Sequence, residues 1–518
     1  MDHPEFADLL VIGTGIAGCT CALEAAKRGL KVILISSAKD PHESNTYYAQ
    51  GGIIYKGKED SADLLLRDII EAGAGLVNEE MASILAKEGP ELVEKLLIDE
   101  LRIPFATSEY GLDLAREGGH MISRIIHVDD MTGRAISERM LEVVGNHPDI
   151  ILMSGHTAVD IITPSHHSSN PLDVYRDLEA VGAYVLCQET GRIEPLFARA
   201  TVLATGGLGR IYLHTTNCSV ARGDGYAMAA RAGARLVNME YVQFHPTALF
   251  HPEAKSFLIS ESVRGEGAVL VTKDGKTFME KYHPMGSLAP RDVVSRAIYT
   301  EMLERGDECV YLDLSASGMS PDRIRSRFPY IYRTCLEYGI DITKDLVPVI
   351  PAAHYSCGGV LVDSVGRTNI KRLYAIGEVS CTGVHGANRL ASTSLLECLL
   401  WGYRAAVDIS RSEYDIPMYP IPDWEEEDGR VDPALIAQDW STIRHTMWNY
   451  VGLIRSSERL EKALEDLTRL SEVIEKLYRH AKLTDELIGL RNGVQVALLV
   501  ARAAWHNRTK RGCHYREG

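Results

Sequence analysis

The first apolar run, Asp8-Leu9-Leu10-Val11-Ile12, has the unbroken hydrophobic texture of a strand buried on both faces of a parallel sheet. Gly13-Thr14-Gly15-Ile16-Ala17-Gly18 follows it. Ala22, Leu23, Ala26 and Lys27 then continue a helix toward Gly29, a residue type that ends helices. Lys31-Val32-Ile33-Leu34-Ile35 predicts a second strand and completes a βαβ unit. Between 61 and 101, Leu64, Leu65, Ile69, Leu92, Val93, Leu96 and Leu97 fall at helical intervals. Tyr184-Val185-Leu186 and Thr201-Val202-Leu203-Ala204 predict strands, the second running into Thr205-Gly206-Gly207. From about 239 to 351 Pro and Gly are frequent and the βαβ alternation is lost, as in an inserted domain. Leu373-Tyr374-Ala375-Ile376 then predicts a strand before Gly377-Glu378. Pro417, Pro420, Pro422 and the acidic patch Glu425-Glu426-Glu427-Asp428 mark a linker. Over 433–507, Leu453, Leu460, Leu464, Leu467, Leu487, Leu490, Val494 and Leu498 carry the periodicity of a small helical bundle.

Gly13, Gly15 and Gly18 stand where a strand turns into a helix, the context that makes G-x-G-x-x-G informative. The first permits the tight turn, the second lets backbone approach a pyrophosphate, and the third lets helix and strand pack closely. Helix N–H groups, with Thr14, Ile16 and Ala17 at the turn, then meet the phosphate charge. The acid expected about 20 residues on is replaced by Ser36 and Ser37, whose hydroxyls can still bond a ribose. Glycines close two further strand ends, at Gly206-Gly207 and Gly377. Backbone approach at three separated strand ends suits the long body of FAD better than NAD, with Glu378 available to a sugar or ribityl hydroxyl.

Composition narrows the class. The chain has 518 residues, 45% hydrophobic and 24% charged, which excludes a disordered chain and predicts about three domains. With 55 Lys+Arg against 71 Asp+Glu, the net charge of −16 argues against nucleic-acid binding through bulk charge. The acidic start Met1-Asp2-His3-Pro4-Glu5 lacks a secretory pattern, and no run reaches the roughly 18 apolar residues of a membrane helix, so neither targeting nor a membrane is expected. Ten cysteines without a CxxC pair leave zinc ribbons and cysteine-held clusters unexpected, and no metal is called for. Reduced thiols in a cytoplasm are the simplest expectation.

Further motifs run through the chain: Thr46-Tyr47-Tyr48-Ala49-Gln50-Gly51-Gly52, Arg116-Glu117-Gly118-Gly119-His120, Gln243-Phe244-His245-Pro246-Thr247, Pro290-Arg291-Asp292, Ala353-His354-Tyr355-Ser356-Cys357-Gly358-Gly359, and Gly386-Ala387-Asn388-Arg389 continuing to Glu397. In this order the sequence resembles the L-aspartate oxidases, a branch of the succinate dehydrogenase/fumarate reductase flavoprotein superfamily, nearly end to end. The tail Arg511-Gly512-Cys513-His514-Tyr515-Arg516 is also similar to that family's end. The resemblance implies an α/β fold: a Rossmann-type FAD-binding domain (1–238 and 352–415), an inserted α+β capping domain (239–351) and a C-terminal three-helix domain (424–518). It places FAD contacts on Gly13, Gly15, Ala17, Asn45, Thr46, Tyr47, Tyr48, Ala49, Gln50, Gly51, Gly52, Asp224, Glu378, Ser394 and Leu395. It places catalytic and substrate groups on Glu117, His245, Arg291, His354 and Arg389, with Thr247 beside them, and gives Arg291 the proton-transfer role.

Two positions separate the branches. Asn45 replaces the histidine that bonds flavin covalently in succinate dehydrogenases, so non-covalent FAD is expected. Glu117 offers a carboxylate to an α-ammonium group that dicarboxylate-only relatives need not hold. Met121 replaces the usual Ser after Gly-Gly-His, removing a hydroxyl expected near the substrate. Arg291 and Arg389 each present a planar fork to a carboxylate. His245 and His354 add donors expected to titrate near neutral pH, and Glu117 beside two arginines is expected to stay ionised.

The implied reaction removes a hydride from the Cα of L-aspartate to flavin N5, giving iminoaspartate, with oxygen or fumarate as acceptor. It opens NAD synthesis and hands an unstable imine to a quinolinate synthase. Competing readings are a soluble fumarate reductase or succinate dehydrogenase-type flavoprotein, and a flavin-binding protein without turnover. Taken singly, Arg291 after Pro290 reads as a surface ion-pair residue and His245 before Pro246 as a structural histidine. Five such residues, each inside its own matching motif, favour function. His166, His167, His251 and His283 lack such context and read as surface residues. Cys357 reads as a packed thiol.

Overall fold

The computed structural model describes residues 6–109, 111–254, 257–415, 418–425 and 427–517; the acidic start Met1–Glu5, and Pro417 and Glu426 of the expected linker, lie outside the described residues. A central sheet runs in the order Ile150–Ser154, Val32–Ser36, Phe6–Ile12, Arg192–Leu203, Gly182–Cys187, His156–Ile162. The first four strands are parallel. The long strand Arg192–Leu203 pairs antiparallel with Gly182–Cys187 through its first half and parallel with Leu373–Ala375 at its end. Leu10, Ile12, Ile33 and Ile35 enter one core and Leu9, Val11, Val32 and Leu34 the other, which is why the first strands are apolar at every position. The second core is covered by helices Ile16–Ala26 and Thr393–Arg411.

A four-stranded antiparallel sheet forms the cap, in the order Val242–Leu249, Val347–Ser356, Val310–Asp313, Val269–Val271. Helix Arg291–Arg305 buries Val294, Ala297 and Ile298 in the core that this sheet shares. The expected break between 351 and 352 falls inside strand Val347–Ser356, whose last residues carry His354 and Tyr355. Cap and FAD-type domain are therefore joined by continuous backbone at the site itself.

Three helices, Pro433–Tyr450, Ser457–Arg479 and Asp485–His506, form the C-terminal bundle. Leu460, Ala463, Leu467 and Ile474 line the buried stripe of the second. The third is long and apolar enough by composition to cross a membrane, yet Leu490, Val494, Ala497, Ala501 and Ala504 are packed inside the bundle's core. The preceding linker is laid against the sheet: the Tyr184 hydroxyl donates to the Pro422 carbonyl at 2.7 Å, and Trp424 packs edge-on to Tyr184 at 5.2 Å.

Candidate active site

At the C-terminal ends of Phe6–Ile12, Val32–Ser36 and Arg192–Leu203 lies a groove of roughly 870 Å³, lined by Gly13 to Ala17, Ser36, Asp224 and Glu378. Its shape depends on missing side chains. A Cβ at Gly13, where φ is +117°, would sit 2.2 Å from the Ala204 carbonyl oxygen; one at Gly18 would sit 1.9 Å from the Gly13 oxygen. Gly15 caps helix Ile16–Ala26 without a side-chain bond, and no acid occupies the first turn. One N–H there, that of Ile16, donates to Thr46 Oγ1 at 3.0 Å. The rest of the helix start faces the groove with its positive dipole end, the chemistry of a pyrophosphate cradle. These residues fit FAD.

The groove opens into a second chamber of roughly 1080 Å³; Asn45, Thr46, Glu378 and Cys398 line both. Glu117, His245, Arg291, His354 and Arg389 all line this chamber, brought from the glycine-rich loop at 111–120, two cap strands, a cap helix and the turn before Thr393–Arg411. The Ser392 hydroxyl donates to Glu117 Oε2 at 2.7 Å. Ser392 adopts φ +57°, a left-handed conformation unusual outside glycine, and forgoes capping its own helix to hold this carboxylate. Arg291 pairs through Nε with Glu261 and donates from Nη1 to Gln243 Oε1 at 3.3 Å. Arg389 stacks over the Tyr355 ring at 4.7 Å, and its buried Nε has no hydrogen-bond partner among the described residues, a donor left for a ligand.

The Thr247 N–H donates to His245 Nδ1 at 3.2 Å, so the neutral ring carries its proton on Nε2. Thr216 Oγ1 lies 2.7 Å from His354 Nδ1, and the two imidazole centroids are 5.2 Å apart. Burial, then the charges of Arg291 and His354, hold His245 well below the usual histidine range; burial and Arg389 do the same to His354. Both rings are therefore neutral donors near pH 7, not the titrating groups expected. At Glu117 burial works against the two arginines. Burial pushes its carboxyl up, the nearby Arg291 opposes this, and Glu261 pushes it up further. The ionisation that burial resists is instead most secure at Glu261, held down at about 2 by Arg291 and Arg264. Burial raises Glu378 to about 7, against hydrogen bonds from the Ser356 N–H and Asn45 Nδ2.

Three expected residues, Thr247, Tyr47 and Gly18, do not line either cavity, and neither does Met121. The Thr247 hydroxyl is spent on the Ile259 carbonyl at 2.9 Å, so Thr247 orients His245 rather than meeting substrate. Tyr47 packs under Arg134 at 5.4 Å, and Gly18 serves helix–strand packing alone. Met121 is 50% exposed and lines neither cavity. Glu261 and Ser392 were missed. A glutamate opening a short helix and a serine before another carry no signal of their own in sequence.

Comparison with known proteins agrees with this architecture. The FAD binding domain family matches residues 8–395, and the family described as fumarate reductase flavoprotein C-term matches 440–518. The fold is similar to E. coli quinol fumarate reductase (TM-score 0.85, 28% identity, 99% of this chain and 91% of that one). It is also similar to Mycobacterium smegmatis Sdh1 (TM-score 0.80, 30% identity, 99% and 89%). The chain is an FAD-binding flavoprotein of the succinate dehydrogenase/fumarate reductase type. It is 44% identical to L-aspartate oxidase of Yersinia pestis (99% of this chain, 96% of that one) and 45% to L-aspartate oxidase 1 of Ralstonia nicotianae (98% and 94%). Within the class, it belongs to the L-aspartate oxidase family.

Proposed function

We propose that the protein oxidises L-aspartate to iminoaspartate, with fumarate or oxygen taking the electrons, as the opening step of NAD biosynthesis. The observation that carries this is the convergence of Glu117 with Arg291 and Arg389 in one chamber continuous with the dinucleotide groove. When bound, FAD supplies the two-electron acceptor that removes a hydride from the substrate Cα. The rest is work for the chain's own side chains. Arg291 and Arg389 bind the two carboxylates and His245 donates from Nε2. Glu117, its proton affinity raised by burial, receives the ammonium group and serves as the base for the amine proton. In the fumarate direction Arg291 serves as the acid, supported by its ion pair with Glu261.

The reading is tested by mixing the flavin-loaded protein anaerobically with L-aspartate. Bleaching of flavin absorbance is expected with aspartate; bleaching with succinate alone favours the dicarboxylate reductase reading, and none with either favours a binding protein without turnover. We further propose that the protein works in the cytoplasm without a membrane, in keeping with a bundle that buries its one long apolar helix, and passes its product to a quinolinate synthase.

Non-covalent FAD is part of the same proposal. The Asn45 amide, donating to Glu378 Oε2 at 3.2 Å and accepting from the Cys218 N–H at 3.0 Å, has no nucleophilic atom to offer flavin. Acid precipitation of the holoprotein is expected to leave all flavin in the supernatant; yellow protein in the pellet overturns this. Gly13→Val is expected to yield folded protein with less than about a tenth of the wild-type flavin content, because its Cβ meets backbone at 2.2 Å and its φ is +117°. The ratio of flavin to protein absorbance measures it.

A further inference from the structure

The helix Asp485–His506 packs along one stripe behind the wall of the dinucleotide groove. Asp485, Gly489, Asn492 and Val496 recur at intervals of four, three and four residues and so share a face. That face lies on the segment Arg222-Gly223-Asp224. Arg222 gives the Asp485 carboxylate two bonds, Nη1 to Oδ2 at 2.7 Å and Nη2 to Oδ1 at 2.9 Å, and shares the guanidinium with Asp224 Oδ2 at 2.9 Å. A Cβ at Gly489 would stand 2.7 Å from Arg222 Cζ, so only glycine lets the guanidinium lie against the helix. Asn492 is fully buried. Its Oδ1 accepts from Arg231 Nη1 at 2.9 Å, which fixes the amide and turns Nδ2 to Asp224 Oδ1 at 2.9 Å. Both carboxylate oxygens of Asp224 are thus held by groups that the bundle supplies or braces.

Asp485 reaches the groove by a second route. Its Oδ1 accepts from the Thr157 hydroxyl at 2.7 Å; Gln188 Nε2 donates to Thr157 Oγ1 at 3.0 Å and to the Ser37 carbonyl at 2.6 Å. Asp224, Thr157 and Ser37 all line the groove. A contact serving only to attach the bundle would be more stable with apolar residues, since a buried amide and a shared guanidinium each cost desolvation. The polar stripe makes sense through what it holds.

We propose that the C-terminal bundle is a working part of the FAD site, fixing Asp224 and the Thr157 wall, so that bundle docking and FAD binding strengthen one another. The coupling is reciprocal by thermodynamic linkage. The test uses Asn492→Ala and Asp485→Asn in the full chain, stripped of FAD and titrated back while flavin fluorescence quenching is followed. The Kd for FAD is expected to rise about tenfold in each, the effect of one lost hydrogen bond to a charged group. A purely structural role would lower the melting temperature of the apoprotein and leave Kd unchanged; an unchanged Kd overturns the proposal. Should a variant fail to fold, the wild-type chain decides. Hydrogen exchange over residues 485–496 is expected to slow when FAD is added to apoprotein, and equal exchange with and without FAD overturns the coupling.

Discussion

Arg291→Leu is expected to remove nearly all turnover while FAD stays bound. Arg291 opens helix Arg291–Arg305 directly after Pro290, so its position is set by the first helical turn rather than by a flexible loop. Its Nε is committed to Glu261, and it lines the chamber but not the groove. Leucine removes the donors that face a substrate carboxylate and strands the Glu261 charge in a buried site. Arg264 cannot fully compensate: its Nη1 is engaged by the Ser287 carbonyl at 2.7 Å, and the burial that lowers its own proton affinity already opposes its charge. An exposed arginine would be worth under about 1 kcal/mol. Buried donors aimed at charge in a reacting substrate are worth about 3–4 kcal/mol each, so kcat/KM for aspartate should fall about a thousandfold. Anaerobic flavin reduction by aspartate measures the loss, and the flavin-to-protein ratio verifies retention. A fall of less than tenfold would remove Arg291 from the chemistry.

The two halves of this site differ in how far sequence exposes them. The dinucleotide groove is written locally: Gly13, Gly15 and Gly18 lie within six residues, the first and third required by close contacts of backbone with backbone, the second facing the Thr46 hydroxyl, which a Cβ would meet at 3.2 Å. The chamber has no local signature, because 117, 245, 291, 354 and 389 meet only after a cap inserted into the chain folds back on the sheet. Those five are recognisable by motif, not by physics. Burial is what sequence could not show. It turns His245 and His354 from titrating groups into neutral donors, and it raises Glu117 where two arginines alone would lower it. Thr247 and Met121 show the converse: inclusion in a motif, or departure from one, says little about which way a side chain faces.

Glu117→Gln should separate an amino-acid oxidase from a dicarboxylate reductase within one active site. Glutamine keeps the shape, and its carbonyl can still accept from Ser392 and fit beside Gly51, where a Cβ would stand 2.9 Å from Glu117 Oε1. What is lost is the charge, and with it the capacity to accept a proton. An ammonium group held by a carboxylate in a water-poor chamber is worth about 3 kcal/mol, so kcat/KM for L-aspartate should fall about a hundredfold. Fumarate carries no ammonium, and its reduction should change less than about threefold. The pH dependence gives an independent check. Because burial raises the Glu117 carboxyl, it takes up its proton at a higher pH than an ordinary carboxyl does, and aspartate turnover falls as pH drops through that value. Neither the glutamine variant nor fumarate reduction should show that acid limb, since neither depends on the charge. Equal losses on both substrates, or an acid limb that survives in the variant, would mean that the ammonium is bound elsewhere and that Glu117 serves only to space the two arginines.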